Sequence, residues 1–145
     1  MIQEPVLSKN KYRTAIIDIG GTDYRSKITN FTRYPASRLG QIFRASSIDD
    51  ILLYCDGYTP ANPPVLYFDR SEDNFTSILD LYRFKELHLC GENCALVIKD
   101  DLEFWGLEEV DLEPCCALKY YPKIVTCQTE VEEEKVEREE EKNEG

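Results

Sequence analysis

The single histidine of this 145-residue chain, His88, is followed after five intervening residues by Cys94 and, twenty residues further on, by the adjacent pair Cys115 and Cys116. One imidazole and three thiolates are the number and softness of ligands that a closed tetrahedral zinc site requires. Four protein ligands leave no position for an activated water, so a metal held in this way reads as structural rather than catalytic. The plainer reading is that the cysteines are buried as small apolar side chains and that His88 merely ends a helix. The spacing is not that of a common zinc finger, so the residues alone leave both readings open. Of the other thiols, Cys55 reads as a strand-core residue, Cys90 as a loop residue and Cys127 as an exposed free thiol. Serine or cysteine catalysis would need a histidine base, and the only one is better used as a ligand. Gly20-Gly21 lacks the Lys-Ser/Thr ending of a phosphate loop and precedes a strand-like run, which makes it a hairpin corner and implies no nucleotide.

The elements that must position these residues can be read from periodicity. Residues 1–11 show none and suggest a loose leader. The β-rich run 14–19, the glycine pair and the alternating run 22–28 predict a hairpin. Residues 29–43 are interrupted by Pro35 and fit two short helices. Two apolar runs, 51–55 and 65–68, are separated by Gly57, Pro60, Pro63 and Pro64 and read as strands. Phe75, Ile78, Leu79 and Tyr82 fall at i, i+3, i+4, i+7 within 73–84, the spacing of one helical face. A second helix is predicted over 94–105, ending at Gly106. A third is capped by Asp111, carries Pro114 in its first turn and Cys115-Cys116 beyond it, and is closed by Pro122. This places His88 just after one helix, Cys94 at the start of the next and the cysteine pair in the first turn of the third, where the partial positive charge of the helix end favours thiolates. Tyr82 and Trp105 lie on apolar faces and read as core. Strands come first and helices mostly follow, which is an α+β order.

Composition limits the function. The net charge is −11, and residues 128–145 hold nine glutamates against two lysines and one arginine, so the end of the chain is a separate acidic unit that could be a solvated helix or disordered. Nucleic-acid binding draws on clustered Lys and Arg, so that class is set aside. No run approaches the ~18 apolar residues that cross a bilayer, and the start Met-Ile-Gln-Glu-Pro has no secretory pattern. The chain as given reads as soluble and intracellular, a setting in which its six cysteines stay reduced.

Several ordered motifs together resemble a known family. They are Ile-Asp-Ile-Gly-Gly at 17–21, Arg-Leu-Gly at 38–40, Leu-Tyr-Cys-Asp-Gly-Tyr at 53–58 and Tyr-Phe-Asp-Arg at 67–70. Phe-Thr-Ser-Ile-Leu-Asp-Leu-Tyr-Arg at 75–83, Leu-His at 87–88, Leu-Glu-Phe-Trp-Gly at 102–106 and Leu-Glu-Pro-Cys-Cys at 112–116 continue the series. Over about residues 12–121 the chain resembles the amino-terminal tetramerisation domain of voltage-gated potassium channels, a BTB/POZ-like fold. The zinc pattern is that of the Shab, Shaw and Shal classes and is absent from Shaker-type subunits. The motifs at 75–79 and 116–118 look most like Shab and its electrically silent relatives.

The resemblance implies a small sheet covered by short helices and a ring tetramer of this chain with itself or with related channel subunits. It implies structural zinc, one per subunit, held by His88, Cys115 and Cys116 of one chain and Cys94 of its neighbour. It also implies an assembly domain over 12–122, an acidic linker over 123–145 leading toward a membrane domain, a location on the cytoplasmic side of the plasma membrane and possible cytoplasmic auxiliary subunits. Asp69 and Arg70 form either an internal turn pair or part of the polar contact between subunits, and the resemblance favours the contact. The chain departs from the family at 71–74, Ser-Glu-Asp-Asn where His-Pro-Gly-Ala is common, and at 84–86, Phe-Lys-Glu where a Thr-Gly-Lys turn is common. A divergent modifier subunit would favour mixed assembly. The rival reading is a BTB adaptor for a cullin ubiquitin ligase, and a metalloenzyme is a distant third.

Overall fold

A computed structural model of the chain describes residues 3–89 and 94–143. Cys90, read above as a loop thiol, lies outside the described residues. The hairpin forms as expected from β1 (Thr14–Ile19) and β2 (Thr22–Lys27), antiparallel with Ile19 opposite Thr22. Gly20 and Gly21 take φ of 59° and 103° at the corner, where the Gly21 N–H donates to Asp18 Oδ1 at 2.8 Å. Strand β1 also pairs in parallel with β4 (Val65–Phe68), which pairs antiparallel with β3 (Gly57–Thr59), giving a sheet of order β2-β1-β4-β3. Alternation along β1 and β4 turns Ala15, Ile17, Ile19, Leu66 and Phe68 to one face, all buried.

Seven helical segments surround this face among the described residues. Short helices α1 (Ile28–Phe31) and α2 (Arg38–Arg44) occupy the stretch divided by Pro35. The expected strand at 51–55 is instead α3 (Ile48–Leu52), and Cys55 sits in the loop between it and β3, its thiol donating to the carbonyls of Ile51 and Gly57. The reason is a cap: Ser47 Oγ accepts the Asp50 N–H at 3.2 Å, and Asp49 and Asp50 stand in the first turn, where carboxylates suit the helix dipole. Helices α4 (Phe75–Phe84) and α5 (Ala95–Trp105) follow their predicted faces, and α5 ends at Gly106 with φ of 69°. A single 3-10 turn (Glu109–Asp111) precedes α6 (Pro114–Asn143).

Helix α6 corrects two expectations. Asp111 belongs to the 3-10 turn rather than capping α6, and Pro122 lies inside the helix without ending it. A proline removes one intrahelical bond, but Tyr120 and Ile124 on either side of it are buried, and the glutamate- and lysine-rich residues beyond are strong helix formers. The helix therefore propagates through the acidic segment. The amino-terminal stretch differs as well: Leu7 is fully buried, the Val6 N–H donates to the Ala45 carbonyl, and Ser8 closes a turn by accepting from Lys11 and Tyr12. Residues 6–12 are thus packed onto the domain. No helix among the described residues is long and apolar enough to cross a membrane.

The core joins sheet to helices through aromatic rings. Tyr82 and Trp105 are both buried, as their faces predicted; Trp105 packs on Phe68 and Phe75, and Tyr82 on Phe31. The Tyr82 hydroxyl donates to Ser37 Oγ at 2.6 Å, and that oxygen also receives the Gly40 N–H. A Cβ at Gly40 would lie 2.0 Å from the Tyr34 carbonyl oxygen, which explains the glycine of the Arg-Leu-Gly motif by close backbone approach.

Candidate metal centre

A short parallel bridge between Leu87 and Leu112, both buried, ties the segment after α4 to the residues that lead into α6. The Glu113 N–H donates to the Leu87 carbonyl at 3.0 Å, which fixes His88 beside the first turn of α6. Pro114 opens that helix at the position where a missing N–H removes no bond, so Cys115 and Cys116 follow immediately in the turn. Adjacent helical residues point about 100° apart, and only near a helix end can both turn to one point.

They do so here. His88 Nδ1 lies 3.4 Å from Cys115 Sγ and 3.7 Å from Cys116 Sγ, and the two sulfurs are 4.0 Å apart. A tetrahedral zinc with bonds of about 2.3 Å to sulfur and about 2.0 Å to nitrogen would separate its ligand atoms by about 3.5 to 3.8 Å. The three observed separations match the edges of such a tetrahedron, so the donor set fits the ion in both chemistry and size. Outer contacts are suited to the role as well. His88 Nε2 faces a Glu86 carboxylate oxygen at 3.6 Å, and the Leu89 N–H donates to Cys116 Sγ at 3.3 Å. Glu86 and the Leu89 amide were not singled out from sequence; a backbone amide leaves no residue-type signal.

The His88 ring and the Cys116 sulfur shift each other's titration. The Cys116 contact, together with the carboxylates of Glu86 and Glu113, raises the His88 pKa, against the effect of desolvation. Burial works to raise the Cys116 thiol, but the Leu89 N–H and His88 bring it below the usual range. Burial and the neighbouring Cys116 raise Cys115.

The fourth predicted ligand is elsewhere in the same chain. Cys94 caps the start of α5, where its carbonyl accepts from Val97 and Ile98, and its exposed thiol meets Cys127. The amides of Val97 and Leu96 lower the Cys94 thiol pKa, while burial and the Cys94 contact raise that of Cys127. Cys127 lies eleven to twelve residues along α6 from the cysteine pair, a separation of about 17 Å at 1.5 Å per residue. The structure therefore brings together three of the four predicted ligands and leaves Cys94 outside the cluster. Cys127, read as exposed, is half-buried against α5.

Asp69 and Arg70 do not pair with each other. Arg70 donates to Asp101 at 2.9 Å, lies 3.6 Å from Asp100 and stacks its guanidinium 3.8 Å from the Phe104 ring centroid. Arg38 stacks at 3.9 Å from the same centroid and donates to the carbonyls of Phe104 and Tyr54. Asp69 remains exposed, its N–H bonded to Asp56 Oδ2. Asp101, which also receives the Asn74 amide at 2.7 Å, was not anticipated.

The family model of the BTB/POZ domain matches residues 15–115. The chain belongs to the BTB/POZ family. The mixed sheet and its covering helices are therefore a BTB/POZ domain, with the cysteine pair at the edge of the matched region. Among its relatives, the voltage-gated potassium channel regulatory subunit KCNG1 of Homo sapiens is 38% identical over 133 residues, covering 92% of this chain and 25% of the relative. KCNG1 of Rattus norvegicus is 35% identical over 140 residues, 94% of this chain and 27% of the relative. The delayed-rectifier potassium channel regulatory subunit KCNS2 of Mus musculus is 30% identical over 123 residues, 85% of this chain and 26% of the relative. This BTB/POZ chain thus spans about a quarter of the length of the curated relatives it matches.

Proposed function

We propose that this BTB/POZ domain is the assembly module of a voltage-gated potassium channel regulatory subunit, forming a four-membered ring on the cytoplasmic side of the membrane with itself or with related channel subunits. The relatives supply the channel context. The observation that carries the assembly reading is the incomplete triad: His88, Cys115 and Cys116 converge at one point, while Cys94, exposed at the cap of α5, lies outside that cluster. A neighbouring chain that places its own Cys94 against this triad completes four ligands. Zinc bound there would contribute Lewis-acid attraction to both chains at once, so that metal affinity and association become one equilibrium. The protein's part is to present Cys115 and Cys116 from the start of α6 beside His88, to hold the His88 ring by Glu86, and to leave Cys94 exposed at the cap of α5.

Residues 12–122 form the assembly domain in this reading, and 123–145, which α6 carries as far as Asn143, are an acidic link toward a membrane domain. Asp69, exposed at the end of β4, contributes to the polar contact between subunits, with Arg70 held beside it by Asp101. The module performs no catalysis. Zinc content measured together with molar mass tests the reading: one zinc per chain in a four-chain particle is the expected result. Cys94→Ser, or chelation, should shift the particle toward monomer in light scattering. A metal-free particle of unchanged mass at low concentration would reject the shared site.

A further inference from the structure

The packed amino-terminal turn and the open end of the β1–β2 hairpin enclose a cleft of about 580 Å³, lined by Lys9, Asn10, Tyr12, Arg13, Thr14 and Lys27, with Thr29 at its edge. Thr14 and Lys27 are register partners at the open end of the hairpin, the Arg13 carbonyl accepts the Ile28 N–H just beyond it, and Arg13 and Lys27 both line the cleft. Lys9 is fixed opposite them by the Ser8 turn. Among the described residues no carboxylate lines the cleft, and the nearby Glu4 carboxylate accepts from the Asn10 amide at 3.5 Å and from the Ser8 hydroxyl at 3.0 Å. Among the described residues Lys9, Arg13 and Lys27 make no ion pair and no side-chain hydrogen bond, in a protein whose net charge is −11. Exposed cations on a strand such as β2, at the edge of its sheet, also guard against edge pairing, but that role does not require Lys9 or a cleft.

The complementary charge is on the same chain. Residues 130–141 hold eight glutamates with one lysine and one arginine, and among the described residues only Glu134 is in an ion pair, with Arg138. The last residue of α6 that is even half-buried is Cys127, and the helix runs to Asn143, so its acidic end projects about 24 Å past its own domain. There every described residue of it is exposed.

We propose that the basic cleft is a docking site for a carboxylate-rich protein segment, and that its occupant is the acidic end of α6 from a neighbouring copy. Tyr12, Thr14 and Thr29 supply neutral donors around the three cations, so a carboxylate entering the cleft meets both charge and hydrogen bonds. A neighbouring copy offers this segment at high effective concentration in any assembly. The occupant therefore rests on the assembly reading, whereas the cleft's preference for carboxylates does not.

The test uses the full chain and a labelled peptide of residues 128–145. Fluorescence anisotropy should show binding that weakens severalfold when salt rises from about 50 to about 200 mM. The triple variant Lys9→Glu, Arg13→Glu, Lys27→Glu should weaken it by at least about tenfold, while Arg44→Glu, an exposed cation outside the cleft, should change it less than about twofold. A carbodiimide that joins touching amines and carboxylates should link Lys9 or Lys27 to a glutamate of 130–141 in pairs mixing light and heavy nitrogen, and Arg13→Glu should lower the yield. Peptide binding needs no ring, so a monomeric protein that still binds the peptide sinks the assembly reading and leaves the cleft standing. Equal peptide affinity in the triple variant, or binding to phosphatidylserine vesicles without binding to the peptide, would overturn the proposal.

Discussion

At the scale of single residues, the clearest local conflict is Lys85, the residue after α4, which takes a left-handed conformation with φ of 62° while its N–H closes onto the Leu81 carbonyl. The family turn that this chain resembles has glycine there, and a side chain in that region costs about 1 kcal/mol or more relative to glycine. Lys85 is exposed and none of its side-chain contacts compensates. Lys85→Gly should therefore raise stability by about 1 kcal/mol, read as a higher urea midpoint with an unchanged slope. A lower midpoint would mean that the backbone reaches its turn by some other route. Residue types foretold the convergence of His88, Cys115 and Cys116 better than they foretold this strain. His88, Cys115 and Cys116 are rare, soft and spaced around helix ends, so they could be found without coordinates. That Cys94 stands apart from them could not be, because ligand spacing says nothing about which chain supplies which ligand.

At the scale of elements, the sequence misled wherever a short apolar run lacked length to declare its period. Ile51, Leu52 and Leu53 with Tyr54 fit a buried strand as well as a helical turn, and the deciding signal was the preceding Ser47 with Asp49 and Asp50, a cap pattern outside the run. Helix α4 was legible because its apolar set spans two full turns. Helix α6 was half legible: the helix around Pro114 and the cysteine pair was foreseen, but its cap was placed at Asp111, which lies in the 3-10 turn, and Pro122 suggested an end that burial of Tyr120 and Ile124 overrides. The amino-terminal turn had no periodic signal at all, since one buried leucine, Leu7, carries it. The distal part of α6 makes a sharper prediction. Beyond Cys127 no described residue is buried, so ending the chain after that residue should leave the thermal midpoint within about 2 °C and remove helical signal in proportion to the residues deleted. Circular dichroism measures both. A large fall in the midpoint would show that the acidic stretch packs on its own domain, which would also weaken the case for its docking on another.

At the scale of the whole molecule, the issue is whether one chain or two complete the metal centre, and a mixing experiment separates these cases. A chain carrying His88→Ala keeps Cys94 but loses the triad; a chain carrying Cys94→Ser keeps the triad but loses the outward thiol. Each variant alone should bind little zinc and run as a smaller particle. In a mixture, a seam with the triad of the Cys94→Ser chain and the Cys94 of the His88→Ala chain has all four ligands, while the opposite seam has neither half intact. An alternating ring would therefore regain half its sites, about one zinc for every two chains, and with them part of its mass. A centre assembled within one chain would gain nothing from mixing, because no chain in the mixture holds all four residues. The observed placement of Cys94, exposed at the cap of α5 and outside the cluster of His88, Cys115 and Cys116, favours the first outcome.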